Sequence, residues 1–338
     1  MSIALGKLIL KNPVFLAPMS GVTDEAFRLA AHRAGAGLVV SEMVASDALV
    51  AERRDMVRRA RGSQNLSPFV VQLAGREAHW MSEGAKVAQD LGADVIDINM
   101  GCPARQVTGG LSGSALMRNL DHAITLIEAT VAAATVPVTL KMRLGWDNTT
   151  LNAPELARRA EAAGVAMVTV HGRTRCQFYT GKADWKAIRA VRSAIKIPLV
   201  ANGDCDTAGD AVAMMEASGA DAVMIGRGAY GRPWWPAVIA EALKSGNGCR
   251  QPTLQQELDI VLLQQSETLE LYGASLGNKT FRKHLGWAIG RLGQRGLISQ
   301  HASAKARTTV LGQSDNLTVR RGLSDIYRKA QDAPAVVA

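Results

Sequence analysis

"IPLVANGDCDTAGDAVAMMEASGADAVMIGR", residues 197–227, reads as one complete strand–helix–strand unit. It opens on a short apolar run, "IPLVAN", and crosses a helix-compatible segment, "DTAGDAVAMMEASG". Gly219 stands where a helix C-cap favours a left-handed residue, and a second apolar run, "DAVMIG", follows. Continuous apolar runs of this length suit strands buried on both faces, as in a parallel sheet. The unit recurs toward the N-terminus. "PVFLAP", "AGLVVSE", "PFVVQL", "ADVIDIN", "PVTLKM" and "AMVTVH" alternate with helical patterns such as "TDEAFRLAAHRAG", "REAHWMSEGAKVAQDLG", "LDHAITLIEATVAAA" and "APELARRAEAAG". Gly35, Gly92 and Gly164 close three of those helices. Eight such units predict an α/β fold of the (β/α)8 TIM-barrel type, which typically spans ~250 residues. A doubly wound sheet is the alternative, but it normally uses fewer strands, and no G-x-G-x-x-G follows the first strand.

Beyond residue 245 the pattern changes. "SGNGCRQP" reads as a loop, and Thr253 and Gln256 have the capping-box spacing at the start of "TLQQELDIVLLQQSETLELYG". "KTFRKHLGWAIGRLG", "SAKARTTVLG" and "DNLTVRRGLSDIYRKA" are helical too. The expected organisation is a barrel over 1–245, a small helical bundle over 246–330 and a tail over 331–338.

Composition narrows the class. Hydrophobic residues make up 47% and charged residues 20%, the balance of a globular chain. Lys7 and Lys11 interrupt the opening segment, and no apolar run nears the ~18 residues of a membrane span, so a cytoplasmic protein is expected. Cys102, Cys176, Cys205 and Cys249 are spread out with no C-x-x-C pair, so neither a disulfide framework nor a metal site is expected. A net charge of +9 favours a phosphate-rich partner.

In a barrel the C-terminal strand ends open onto one face and carry the chemistry. Here they are Pro18-Met19, Glu42, Gln72, Asn99, Lys141, His171, Asn202 and Gly226-Arg227, nearly all able to hydrogen-bond or carry charge. "NGDCD" (202–206) and "IGRGAYGRP" (225–233) follow the last two strands, the usual phosphate site of the fold, where glycine lets backbone N–H groups approach an anion. Lys141 could act as a Schiff-base nucleophile if its pKa were depressed, or stay charged and stabilise an anion. Gln72, Asn99 and His171 beside it suit a flat heterocycle with several ring nitrogens and carbonyls, such as a flavin. Cys102, in "NMGCPARQVTGG", has by itself the reading of a small buried hydrophobe.

"APMSGVTD", "VQLAG", "DINMGCPA", "SGSALMR", "KMRLGWD", "HGRTR", "ANGD" and "IGRGAYGRPW" resemble, in order, the signatures of the bacterial tRNA-dihydrouridine synthases, most closely the B type. The resemblance runs from Ala17 to Trp234 and continues weakly into "RKHLGW"; where relatives often carry an aromatic after that motif, this chain has Ala288. It implies FMN in the barrel mouth, NADPH as electron source, and reduction of the uridine C5–C6 double bond in tRNA, expected in the D-loop. Ala17, Pro18 and Met19 would line the flavin through their backbone, while Gln72, Lys141 and His171 would contact its ring. Asn202, Gly203, Asp204, Gly226 and Arg227 would hold its phosphate end. Asn99 would orient the uracil, and Cys102 would protonate C5 after hydride reaches C6. A free thiol, with a pKa of ~8.5, is mostly protonated at neutral pH and so can serve as that acid.

The target base must leave the tRNA stack, and phosphate contacts would supply much of the affinity. Arg105, Arg173, Arg175 and Lys182 on barrel loops, with Arg282, Lys283, His284, Arg320 and Arg321 on the helical part, are the expected contacts; no protein partner is expected. Two other functions compete. A reductase of a free pyrimidine needs neither the basic charge nor the helical bundle, and a non-catalytic RNA-binding protein needs no complete set of Gln72, Asn99, Cys102, Lys141 and His171.

Overall fold

A computed structural model describes residues 3–61, 65–246 and 250–332; Cys249 lies outside the described residues. A short antiparallel hairpin, β1 (Ile3–Leu5) and β2 (Leu8–Leu10), precedes the barrel. The barrel strands are β3 (Val14–Leu16), β4 (Leu38–Val39), β5 (Val44–Ala45), β6 (Val70–Ala74), β7 (Val95–Met100), β8 (Val138–Arg143), β9 (Met167–His171), β10 (Leu199–Asn202) and β11 (Ala222–Ile225). All pair in parallel, and β11 lies beside β3. The second strand of the eight-fold pattern is split into β4 and β5. Val40, just past β4, bridges Val70 at the start of β6 and so brings the two ends of the sheet together. The (β/α)8 expectation holds.

Two apolar layers stabilise this arrangement. Alternate strand residues, such as Val71, Leu73, Ile96, Ile98, Leu140, Met142, Val168 and Val170, belong to the large outer core with the helices. The other set, Phe15, Val70, Val95, Met167, Val200 and Met224, packs with Ile3, Leu5 and Leu10 of the hairpin inside the ring. The hairpin therefore plugs the N-terminal end. With a side-chain period of two, the strands that begin with Val70, Val95, Met167 and Val200 inside must also direct Gln72, Asp97, Asn99, Thr169, His171 and Asn202 inward. The interior is apolar at one end and polar at the other.

The helices start and stop where the sequence provides caps. Thr207 and Thr253 make complete capping boxes with Asp210 and Gln256, and Gly35 and Gly219 close their helices in the left-handed region. Among the described residues four further helices follow the barrel: Leu254–Tyr272, Ala274–Gln294, Gln300–Leu311 and Asn316–Asp332. The last includes Gln331 and Asp332, assigned to the tail from sequence; 333–338 lie outside the described residues.

The long helix Ala274–Gln294 seats directly on the loop after β11. Gly231 (φ +71) permits the approach, since a Cβ there would sit 2.5 Å from the Trp287 carbonyl carbon. Tyr230 stacks on Trp287 at 4.0 Å, and Arg291 donates to the Tyr230 and Gly228 carbonyls. Ala288 is buried at this seam.

His284, expected among the RNA contacts, is instead internal, and this corrects the sequence reading. It is 3% exposed and packed among Phe27, Phe281 and Trp287, with no hydrogen-bond partner for either ring nitrogen among the described residues. Burial pushes its pKa down to about 3, with Lys283 adding to the effect. The folded chain thus keeps His284 neutral where the unfolded chain binds a proton, so this contribution to stability is present above pH ~6.5 and is lost as pH falls toward the folded pKa. His284→Phe removes two orphaned polar atoms and should be neutral or stabilising by about 1 kcal/mol near pH 7. Thermal melts from pH 7 to pH 4 should also show a flatter pH dependence than in the native chain; an unchanged slope would contradict the burial argument.

Candidate active site

The polar end of the barrel holds a continuous chain of hydrogen bonds. Thr139 Oγ1 donates to Asp97 Oδ1 (2.6 Å), and Gln72 Nε2 donates to Asp97 Oδ2 (2.7 Å). Asn99 Nδ2 donates to Gln72 Oε1 (2.8 Å). Asn99 Oδ1 in turn accepts from the backbone N–H groups of Gly101 (3.2 Å) and Cys102 (3.0 Å). The loop after β7 is pinned from its other side by Ser114, whose N–H and hydroxyl both donate to the Cys102 carbonyl. Gly113 (φ +60) makes this contact possible, because a Cβ there would lie 2.9 Å from that carbonyl oxygen. Arg143 Nε holds the Gly101 carbonyl, and its Nη1 holds those of Thr174 and Phe178. Cys102 is half-buried at the end of this construction.

Beside it, on the next strands, lies a cationic wall. Lys141 Nζ donates to Asn202 Oδ1 (3.2 Å), and Asn202 Nδ2 donates to the Met224 carbonyl. Burial lowers the Lys141 pKa to about 8, helped by Arg143 and opposed by the Asp97 charge. Burial also takes His171 well below its ordinary value, with the charges of Arg143, Lys141, Arg173 and Arg227 pushing the same way, so its ring is neutral at pH 7. Arg143, lowered to about 10 by burial, remains charged. Burial raises the pKa of Asp97 above the usual carboxylate value, and hydrogen bonds from Thr139 and Gln72 and the Lys141 charge only partly offset it.

The loops after β10 and β11 form the third side. Gly203 (φ +121) has no room for a side chain, since a Cβ would sit 2.7 Å from His171 Cδ2. Asp204 binds Arg173 through both oxygens (2.8 and 2.6 Å), accepts from the Ala183 N–H, and meets Arg227 at 3.2 Å. Burial alone would raise its pKa, but Arg173, the Ala183 amide and Arg227 together hold it below the usual carboxylate value. Arg227 is half exposed and lies 5.0 Å over the Tyr179 ring; Arg143 faces the same ring at 5.5 Å. The tips of β3 and β11 are joined by the Ala17 N–H and the Ile225 carbonyl, and Ala17, Met19 and Gly226 make a wall of little bulk between them.

The structure brings Gln72, Asn99, Cys102, Lys141, His171 and Asn202 to one end of the barrel. Among the expected RNA contacts, Arg105 and Arg282 are exposed and Lys283 is half-buried. Arg175 lies over Trp146 at 4.8 Å, with Arg118 over the same ring at 4.9 Å. Arg173 requires a correction: it is 1% exposed and its guanidinium is taken up by Asp204 and the carbonyls of Thr180 and Gly181, so it organises a loop and meets no external phosphate. Arg320 likewise donates to the Leu262 carbonyl and Ser266 within the helical part.

Asp97, Thr139, Arg143 and Tyr179 were missed from sequence. For the first two a signal existed: each lies two residues before an inward polar group, Asn99 or Lys141, on its own strand. The same alternation marks Arg143, two residues after Lys141, whereas no local signal marks Tyr179.

Small-residue walls, a neutral imidazole, amides and a buried ammonium beside a glycine–arginine loop fit a planar, hydrogen-bonding ligand that carries a phosphate. Among the described residues no group of three His, Cys, Asp or Glu side chains is placed to hold a metal ion, and no helix is long and apolar enough to cross a membrane.

Comparison with known proteins agrees with this chemistry. Residues 15–316 match the family model described as dihydrouridine synthase. A probable tRNA-dihydrouridine synthase of Rhizobium leguminosarum bv. phaseoli is 57% identical over 281 residues, covering 83% of this chain and 86% of its own. The tRNA-dihydrouridine synthase B of Xanthomonas axonopodis pv. citri is 44% identical over 283 residues, 84% of this chain and 85% of its own. Among solved structures, morphinone reductase in complex with tetrahydroNAD aligns with a TM-score of 0.51 at 17% identity, over 76% of this chain and 93% of that one, a likeness of fold. With its whole barrel and most of its helical part matched, the chain belongs to the dihydrouridine synthase family.

Proposed function

We propose that this protein reduces uridine to 5,6-dihydrouridine in tRNA, with FMN held at the polar end of the barrel, NADPH as the external reductant and Cys102 as the proton donor. The observation that carries the proposal is the Cys102 loop, tethered by Asn99 to the same hydrogen-bonded chain that contains Gln72, with Lys141 beside Asn99 on the adjacent strand. Bound flavin would supply a hydride to uracil C6. The other tasks fall to the chain itself. Ala17, Pro18 and Met19 line one wall, Gln72, Lys141 and His171 address the ring, and Asn202, Gly203, Gly226 and Arg227 hold the phosphate end. Asp204 contributes by fixing Arg173 and Arg227. Lys141 and Arg143 set a positive potential beside the ring, which favours an anion in a buried site. Asn99 orients the uracil, and the Cys102 thiol delivers its proton to C5.

Arg105, Arg175, Arg282 and Lys283 are proposed to meet tRNA phosphates, the D-loop supplying the flipped uridine. Purified protein supplied with FMN should be yellow and be bleached by NADPH. Under anaerobic conditions unmodified tRNA should restore the colour, and free uridine should not. Restoration by free uracil or uridine alone would favour a free-pyrimidine reductase, and absence of any flavin binding would remove both readings.

A further inference from the structure

Asp97 lies below the ligand-facing layer, and its place in the hydrogen-bonded chain gives it a role of its own. The loop end of that chain is chemically unambiguous. Two backbone N–H groups, which only donate, stand there, and Asp97, whose Oδ2 accepts from Gln72, stands at the other end. Between them lie two amides, Gln72 and Asn99, and only one arrangement satisfies every link. Gln72 must turn its nitrogen to Asp97, so its oxygen faces Asn99. Asn99 must then turn its nitrogen to Gln72 and its oxygen to Gly101 and Cys102. Reversing either amide sets donor against donor or acceptor against acceptor inside a buried site, where no water replaces the unmade bond.

We infer that Asp97 is a positioning residue: through Gln72 and Asn99 it fixes the loop that carries Cys102 and determines what Asn99 offers to a ligand. With Asn99 Oδ1 already accepting two N–H groups, the amide has one N–H left to present. That hydrogen fits a carbonyl acceptor on a pyrimidine ring. Thr139 completes the base of the chain by donating to Asp97 Oδ1, leaving Oδ2 for Gln72. The role of the loop rests on the proposed function, but the direction of the chain does not.

Two measurements test this, and neither needs flavin or RNA. Amide exchange at Gly101 and Cys102 should quicken by about tenfold or more in Asp97→Val. It should stay at the native rate in Asp97→Asn, whose carbonyl can accept from Gln72 while its amide turns to Thr139. Asn99→Asp places acceptors on both sides of Gln72 and should destabilise the fold. Adding Asp97→Asn lets the chain run the other way, so the double variant should exceed the additive expectation for the unfolding constant by about tenfold. Native exchange rates in Asp97→Val, or additivity in the double variant, would overturn the inference. If Asp97→Val or Asn99→Asp does not fold, the double variant decides: a folded one supports the inference, an unfolded one refutes it. Full turnover in Cys102→Ala would remove the proposed acid alone and leave these results standing.

Discussion

Cys102→Ala is expected to slow single-turnover uridine reduction in tRNA by about 10²–10⁴-fold, the usual contribution of a positioned general acid. Flavin binding and flavin reduction by NADPH should be nearly unchanged. The separation follows from how the loop is held. Its contacts with Asn99 and Ser114 use the N–H and carbonyl of residue 102, which alanine keeps, and Arg143 holds the neighbouring Gly101 carbonyl. The variant therefore removes a thiol and little else. Rapid-quench measurement of dihydrouridine beside stopped-flow measurement of flavin reduction would check it. Equal loss in both half-reactions would make the thiol structural.

Arg173→Ala should produce the largest loss of stability among the site variants, about 3 kcal/mol, the low end for breaking a buried ion pair because Asp204 retains some solvent. Asp204 would keep only Arg227 and the Ala183 amide, and the carbonyls of Thr180 and Gly181 would lose their donor. FMN affinity should fall with it, since Asp204 follows Gly203 in the proposed phosphate loop. Arg173→Lys should recover little, because a point charge cannot span two carboxylate oxygens and two carbonyls. The salt dependence of tRNA binding should keep its native slope, whereas loss of a true phosphate contact lowers that slope by about one unit. Denaturant melts, FMN titration and salt-dependent tRNA binding together check this. Native stability with a reduced slope would restore Arg173 as an RNA contact.

These two residues show where sequence reading succeeds and where it stops. The barrel was legible because each strand–helix unit carries its own signals: an apolar run, a capped helix and a glycine at the turn. Thr253 and Gln256 likewise marked a helix start through a contact three residues apart. The hairpin at Ile3–Leu10 was not, because three-residue strands carry too little pattern. Cys102 was recognisable only in the company of seven other motifs. Arg173 and His284 looked like their exposed neighbours, since what buries them comes from elsewhere: Asp204 lies 31 residues from Arg173, and Phe27 belongs to the first barrel helix. Asp97 finds Gln72 and Thr139 at separations of 25 and 42 residues, a meeting that only the closed sheet creates.

The most direct measurement is the nucleoside composition of unmodified tRNA after anaerobic incubation with the purified protein, FMN and NADPH. Mass spectrometry should find uridine converted to a product two hydrogens heavier, in tRNA but not in free uridine, and lost with Cys102→Ala. Unaltered tRNA in the presence of protein-bound, fully reduced flavin would contradict uridine reduction as the activity of this site.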